Sequence, residues 1–313
     1  MTSPSIPLTV IGGYLGAGKT TLINGLLRHN EGRRLAVIVN DFGEINIDAE
    51  LIEGQDGDTI NLANGCICCT LGADLAVTLM KLMENDPPPD HILIEASGVA
   101  DPAQVAQYGY ISGLRLDGII VLADAETVRK KARDKYVGEQ VVRQLRAADL
   151  LLLNKTDLVS KEALHTIRDW LQRLVPNARI IATVHAKVPS AFLLGTNHHT
   201  STPHVHSIQQ SASMITSGHN HHPQYETWSY VFDNPIDQAA FQAMIDALPE
   251  NVIRAKGVVY LKEHPDRKFI FQMVGKRWSL EPDKPWAQAR PQTRLVMIGT
   301  PGKANGFSPR LAK

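Results

Sequence analysis

Along the first 185 positions, apolar residues fall in short, near-continuous runs separated by amphipathic stretches. The runs Leu8–Ile11, Leu35–Asn40, Thr59–Leu62, His91–Glu95, Gly118–Leu122, Leu150–Asn154 and Arg179–Thr183 read as strands. The stretches Lys19–His29, Leu71–Met83, Pro102–Tyr108, Asp134–Ala147 and Lys161–Leu174 read as helices. A segment such as Leu150-Leu-Leu-Leu-Asn154 has no polar face, so it suits a strand covered on both sides. The pattern predicts an α/β domain with a doubly wound, mostly parallel sheet over residues 1–195.

The pattern then changes. Residues 196–224 are rich in Ser, Thr, His and Gln with little apolar periodicity, which predicts a flexible linker. Beyond it, Trp228–Phe232, Ile253–Leu261, Lys268–Val274 and Arg294–Ile298 read as strands and Ile236–Leu248 as a helix. Short connections between these strands favour an antiparallel sheet, so residues 225–313 are expected to form a smaller α+β domain.

Composition narrows the class of partner. A chain of 313 residues can bury two cores. Lys+Arg and Asp+Glu stand at 32 each, an even balance that argues against wholesale binding to nucleic acid or to an anionic membrane. No run approaches the ~18–20 apolar residues that span a bilayer. No basic residue precedes Ile6–Ile11, unlike a secretory signal. The three cysteines stand at 66, 68 and 69, too close and too few for a disulfide framework. A cytoplasmic location with reduced thiols is expected.

Gly13-Tyr-Leu-Gly-Ala-Gly18-Lys19-Thr20 fits G-x-x-x-x-G-K-[ST], after a predicted strand and at the start of a predicted helix. In that context Gly13, Gly16, Ala17, Gly18, Lys19, Thr20 and Thr21 are the expected nucleotide-binding positions, which predicts a P-loop NTPase domain. Lys19 supplies charge to the β/γ-phosphates and the Thr20 hydroxyl suits Mg²⁺. Asn154-Lys155-Thr156-Asp157 ends a buried strand far downstream. A carboxylate at Asp157 accepts from N1–H and the amine of guanine, whereas adenine has the opposite pattern at N1, so GTP and GDP are favoured over adenine nucleotides. Alone, these four residues are a weak signal that a helix N-cap at Asp157 would also explain; paired with the phosphate loop at this separation they become a strong one. Lys155 is expected to lay its stem along the base and Asn154 to tie the loops; His185-Ala186-Lys187, after the next strand, either completes the pocket through His185 or forms a plain loop. Two carboxylates sit where a γ-phosphate sensor belongs: Glu44 in Asn40-Asp-Phe-Gly-Glu44 and Glu95 in Glu95-Ala-Ser-Gly98, with Gly98 offering an N–H. Lys19, Thr20, Glu44 and Glu95 are therefore the expected catalytic set; the residue that orients the attacking water is not identified, with Asp41 and Glu44 as the candidates.

Gly65-Cys66-Ile-Cys68-Cys69-Thr lies between a predicted strand and helix. Three thiolates select soft or borderline ions and leave one tetrahedral position open, which suits transfer. Zn²⁺, Cu(I) or a related ion suits such thiolates, and Co²⁺ and Fe²⁺ tolerate parts of the ligand set; buried structural cysteine and a redox pair are the competing interpretations. Seven of the twelve histidines, His198, His199, His204, His206, His219, His221 and His222, fall within residues 198–222. That density predicts metal buffering on a flexible tract, against a plain solvated linker.

Taken in order, GGYLGAGKTTL, NDFGE, GCICCT, EASGVADP and NKTD resemble the CobW family of GTPases, especially its compact YjiA-type members, related to the UreG and HypB nickel-insertion GTPases. The resemblance extends over essentially the whole chain, including Arg254-Ala-Lys-Gly257 and Trp278 through Trp286. It implies a GTP-hydrolysing metallochaperone: metal on Cys66, Cys68 and Cys69, with Zn²⁺ the expected cargo, the histidine tract as a scavenging arm, and GTP state coupled to release into a client apo-metalloenzyme. It also implies a monomer or a metal-dependent homodimer. One departure is Val39, where many members carry Glu. The cysteine segment lies between the two switch-like segments, so loss of the γ-phosphate would have a short route to the thiolates. The rival readings are a metal-regulated GTPase switch or sensor that binds partners without delivering metal, a metal-storage protein, and an ATPase or kinase built on the same loop.

Overall fold

The computed structural model describes residues 5–30, 32–39, 59–61, 71–195, 225–287 and 289–301. The chain divides into two compact units between Leu194 and Gly195.

In the first unit, β1 (Ile6–Gly13), β2 (Leu35–Val39), β3 (Thr59–Asn61), β4 (His91–Glu95), β5 (Leu114–Asp124), β6 (Leu150–Asn154) and β7 (Arg179–Ala182) form one sheet. Its order is β3-β2-β4-β1-β5-β6-β7, and every pairing is parallel. β2, β4 and β6 are buried at every position, as their unbroken apolar runs require. Helices α1 (Lys19–Arg28), α2 (Leu71–Glu84), α3 (Pro102–Ala106), α4 (Val128–Ala132), α5 (Gly138–Arg146), α6 (Lys161–Leu174) and α7 (Ser190–Leu194) make up the rest of the described regular structure, with short 3₁₀ turns at 107–110 and 156–158. Leu79 on α2, Leu145 on α5 and Leu171 on α6 join Leu8, Val121 and Leu153 of the sheet in one core. This is the doubly wound arrangement that the apolar pattern predicts.

Because β1 lies between β4 and β5, the strand order reverses on either side of it. In such sheets the crevice beyond the strands' carboxyl ends at the reversal is the natural ligand site. Lower down the same strands, Thr9, His91 and Asp117 are buried together, with Thr9 Oγ1 2.8 Å from His91 Nε2. A bulge opposite Leu8/Thr9 places Asp117 there: Leu8 pairs with Leu116 and Thr9 with Gly118.

In the second unit, β8 (Glu226–Phe232), β9 (Val252–Val259), β10 (Arg267–Val274), β11 (Arg277–Pro285) and β12 (Thr293–Gly299) form an antiparallel sheet ordered β11-β10-β9-β12-β8. One face packs on α8 (Gln238–Asp246), whose first amides are capped by Asp237. On β12, Leu295 and Met297 are buried while Arg294 between the strand's buried positions is exposed, the period-two signature of a half-covered strand. Phe241 of α8 meets Phe271 of β10 edge-on at 5.1 Å.

Candidate functional site

β1 feeds directly into the phosphate loop. Gly13, Gly16 and Gly18 take φ of 136°, 76° and 105°, values that side-chain-bearing residues seldom adopt. At Gly18 the demand is also steric, since a Cβ there would lie 2.5 Å from Asn154 Nδ2. Gly18 caps α1 without any side-chain hydrogen bond, and the first turn of α1 has no acidic residue. The leading N–H groups of the helix therefore keep their capacity for an anion, with the helix dipole favouring it. Lys19 is only 6% exposed, its ammonium 3.9 Å from Oε1 of Glu95 at the end of β4.

The base side is built from the ends of β6 and β7. Asn154 acts as a bracket: its Nδ2 donates to Ala17 O in the phosphate loop at 2.9 Å, and its Oδ1 accepts from Ala186 N at 2.8 Å. Lys155 is left-handed at φ 59°, as are His185 and Ala186 at 52° and 53°. Three such non-glycine residues in two facing loops are backbone strain held by the surrounding bonds, a feature that clusters at ligand sites. Thr156 and Thr183 tie the loops further, Thr156 Oγ1 donating to Thr183 O at 3.1 Å. Asp157 sits in the 3₁₀ turn and is exposed. The cap of the following helix is Ser160, accepting from Ala163 N at 3.2 Å, so capping does not account for Asp157.

Leu15, Gly16, Gly18, Lys19, Thr20 and Thr21 face Asn154, Lys155, Asp157 and His185 across a cleft of about 630 Å³. Such a volume suits a nucleotide-sized ligand, for which ~300–1,000 Å³ is usual. One wall is anionic and hydrogen-bond accepting at Asp157; the other is a cationic, amide-lined cradle.

The loop after β4 closes against the phosphate loop. A Cβ on Gly98 would lie 2.4 Å from the Leu15 side chain. Two glutamines of α5 hold this loop by its carbonyls: Gln144 Nε2 donates to Gly98 O at 3.0 Å and Ala100 O at 2.8 Å, and Gln140 donates to Val99 O. Asp101 then caps α3 through Ala103 N, with Pro102 at the first helical position.

Asp41, Glu44, Cys66, Cys68, Cys69 and the seven histidines of the tract, His198, His199, His204, His206, His219, His221 and His222, lie outside the described residues. Among the described residues no group of three or more His, Cys, Asp or Glu could hold a metal ion. No described helix is long and apolar enough to cross a membrane.

Comparison with known proteins bears on this arrangement. Residues 7–182 match the family model "CobW/HypB/UreG, nucleotide-binding domain", and residues 225–311 match "Cobalamin synthesis protein cobW C-terminal domain". The chain belongs to the CobW family. It is 33% identical over 331 residues to the zinc chaperone CobW of Sinorhizobium sp, covering 94% of this chain and 92% of that one. It is 30% identical over 308 residues to the zinc chaperone YjiA of Escherichia coli K12, covering 94% of each. It is also 34% identical over 230 residues to the zinc-regulated GTPase metalloprotein activator 1 of Dictyostelium discoideum, covering 61% of this chain and 48% of that one.

Within this CobW-family framework the structure adds three residues that the motifs do not contain. Lys131 of α4 donates to Leu15 O at 3.1 Å and lies 4.8 Å from the ring centre of Tyr14, bracing the phosphate loop from outside. Gln144 braces the loop after β4. Asp124, at the end of β5, accepts from Lys155 Nζ at 2.9 Å. Burial pushes the Asp124 carboxyl up, but the Lys155 bond and charge, with the amides of Glu126 and Thr127, outweigh it and hold the group below its ordinary range. Asp124 is thus ionised at neutral pH, and its stabilisation is lost as pH falls through the lowered folded value. None of the three has a sequence signature, because each acts through a backbone carbonyl or a partner distant in sequence.

Proposed function

We propose that this chain is a GTP-hydrolysing zinc chaperone of the cytoplasm, which carries the ion on Cys66, Cys68 and Cys69 and passes it to an apo-metalloenzyme as the nucleotide changes state. The observation that carries the reading is the cleft, where a phosphate cradle around Lys19 faces Asp157, in a chain whose relatives over 94% of its length are named zinc chaperones. In this account the N–H groups of residues 16–20 and the Lys19 ammonium grip the phosphates. Asn154 keeps the base loop in register with that grip, and Asp157 reads the guanine edge. The donor set at the cleft is also the hard-oxygen chemistry that Mg²⁺ takes: Thr20 and Glu95 would hold it, and the ion would supply charge neutralisation at the phosphates. Loss of the γ-phosphate removes the contact of Gly98 N–H, and the loop after β4 relaxes against α5. Zinc, as cargo, sits on thiolates that leave a fourth position for an incoming ligand of the acceptor. The histidine tract supplies ions to that site.

The test is metal analysis of protein purified without an affinity tag, beside a Cys66→Ala/Cys68→Ala/Cys69→Ala variant. About one zinc per chain held against a moderate chelator, and lost in the variant, is expected. Equal zinc in both proteins would move the cargo site to the histidine tract and refute the thiolate assignment.

A further inference from the structure

Asp124 belongs to no nucleotide-binding motif, yet its carboxylate joins both halves of the cleft. The side chain is 8% exposed. Its Oδ1 accepts from Glu126 N at 2.9 Å and Thr127 N at 3.3 Å, an Asx-type turn that leads into α4. Its Oδ2 accepts from Lys155 Nζ at 2.9 Å. The same turn carries Lys131, whose amide donates to Thr127 O at 2.9 Å and whose ammonium donates to Leu15 O at 3.1 Å in the phosphate loop. Ala125 N donates to Asn154 O at 2.9 Å, locking β5 to the strand end that bears Lys155.

We propose that Asp124 is a positioning residue for the guanine nucleotide: it holds the Lys155 stem ready for the face of the base and sets the turn from which Lys131 braces the phosphate loop. The proposal rests on the GTP reading above. A lysine side chain is costly to immobilise, and one already fixed by an ion pair spares most of that cost when the base arrives. Lys155 is held in this way from a left-handed backbone position, so the direction of its stem is set from both ends. Asp157 then reads the edge of the base while Lys155 covers its face. Asp124 would govern how long any purine nucleotide stays bound without deciding which purine is chosen.

The experiment measures release of a fluorescent GDP analogue and the GTP and ITP affinities of four proteins: wild type, Asp124→Asn, Lys155→Met and the double variant. Asn retains an acceptor for the two amides, so the turn survives while the ion pair is lost. Asp124→Asn should release the analogue about tenfold faster. Lys155→Met should do much the same, and the double variant should be no faster than the quicker single one. The GTP-to-ITP affinity ratio should stay at the wild-type value. A wild-type release rate in Asp124→Asn, a double variant whose losses multiply, or a changed GTP-to-ITP ratio would each overturn the assignment. Should Asp124→Asn fail to fold, Asp124→Ser carries the same comparison, since its hydroxyl accepts from the turn and cannot reach Lys155. A wild type that binds no guanine nucleotide would overturn the GTP reading as well, whereas normal wild-type binding with an unaffected Asp124→Asn overturns this role alone.

Discussion

Asp157→Asn is expected to lower the affinity for GTP roughly a thousandfold and to make xanthosine triphosphate the better ligand. The carboxylate accepts two hydrogen bonds from guanine, at N1–H and at the exocyclic amine. An amide presents a donor where one acceptor stood, so its N–H opposes the amine of guanine. Xanthine carries a carbonyl at that carbon and accepts from the same N–H. Titration calorimetry with the two triphosphates checks the result. The thermal midpoint should hardly move, because the residue is exposed in a short 3₁₀ turn and surface changes of this kind stay within ~0.5 kcal/mol. An unchanged preference for GTP would mean that the guanine edge is read elsewhere in the cleft.

Lys19→Ala is expected to lower the turnover number for GTP by roughly a thousandfold, with a smaller effect on GDP binding. The difference between the two effects arises because the ammonium neutralises charge that grows on the transferring phosphoryl group. The amides of the loop and helix, which hold the diphosphate, remain in the variant. A second consequence separates this from a general loss of structure. Lys19 is 6% exposed and 3.9 Å from Glu95, itself 1% exposed, so the substitution removes the positive member of a buried pair. The nucleotide-free variant should melt at lower temperature at neutral pH and regain part of the deficit when Glu95 is also changed to Gln. Single-turnover phosphate release and thermal melting of the three proteins check both statements. Wild-type turnover in Lys19→Ala would remove Lys19 from the reaction.

Much of this fold is written in the period of its apolar residues. Strands such as Leu150–Asn154 and His91–Glu95 are legible because burial on both faces leaves no room for polar alternation. The parallel sheet and the separate antiparallel one follow from strand spacing. β11 is missed by the same reading for a clear reason. Arg277–Pro285 contains Pro282 and Pro285 and several charges, a composition tolerated only at a sheet edge, and an edge is where it lies. The first half of β5 is also missed: Arg115 and Asp117 interrupt its apolar run, and the bulge at Leu116/Gly118 turns Asp117 into a buried polar cluster that no local pattern announces. The helix expected over Asp134–Ala147 begins at Gly138 instead, because Asp134 uses its carboxylate to cap the turn through Tyr136 N and Val137 N. In the cleft, the motif residues are those whose side chains or amides would touch a ligand directly, and spacing alone brings them to notice. The supports are invisible at that level. Asp124, Lys131 and Gln144 work through carbonyls and ion pairs between strand ends, which depend on tertiary proximity and carry no spacing rule.

In the proposed function, the state of the nucleotide sets how tightly the thiolates of Cys66, Cys68 and Cys69 hold zinc. The direct measurement is competition for Zn²⁺ against a chromophoric chelator, with the protein saturated in turn with GDP and with a non-hydrolysable GTP analogue. Apparent affinities are expected to differ at least about tenfold between the two states, with the difference absent in the triple cysteine variant. Equal affinities in the two states of the wild type would contradict that coupling.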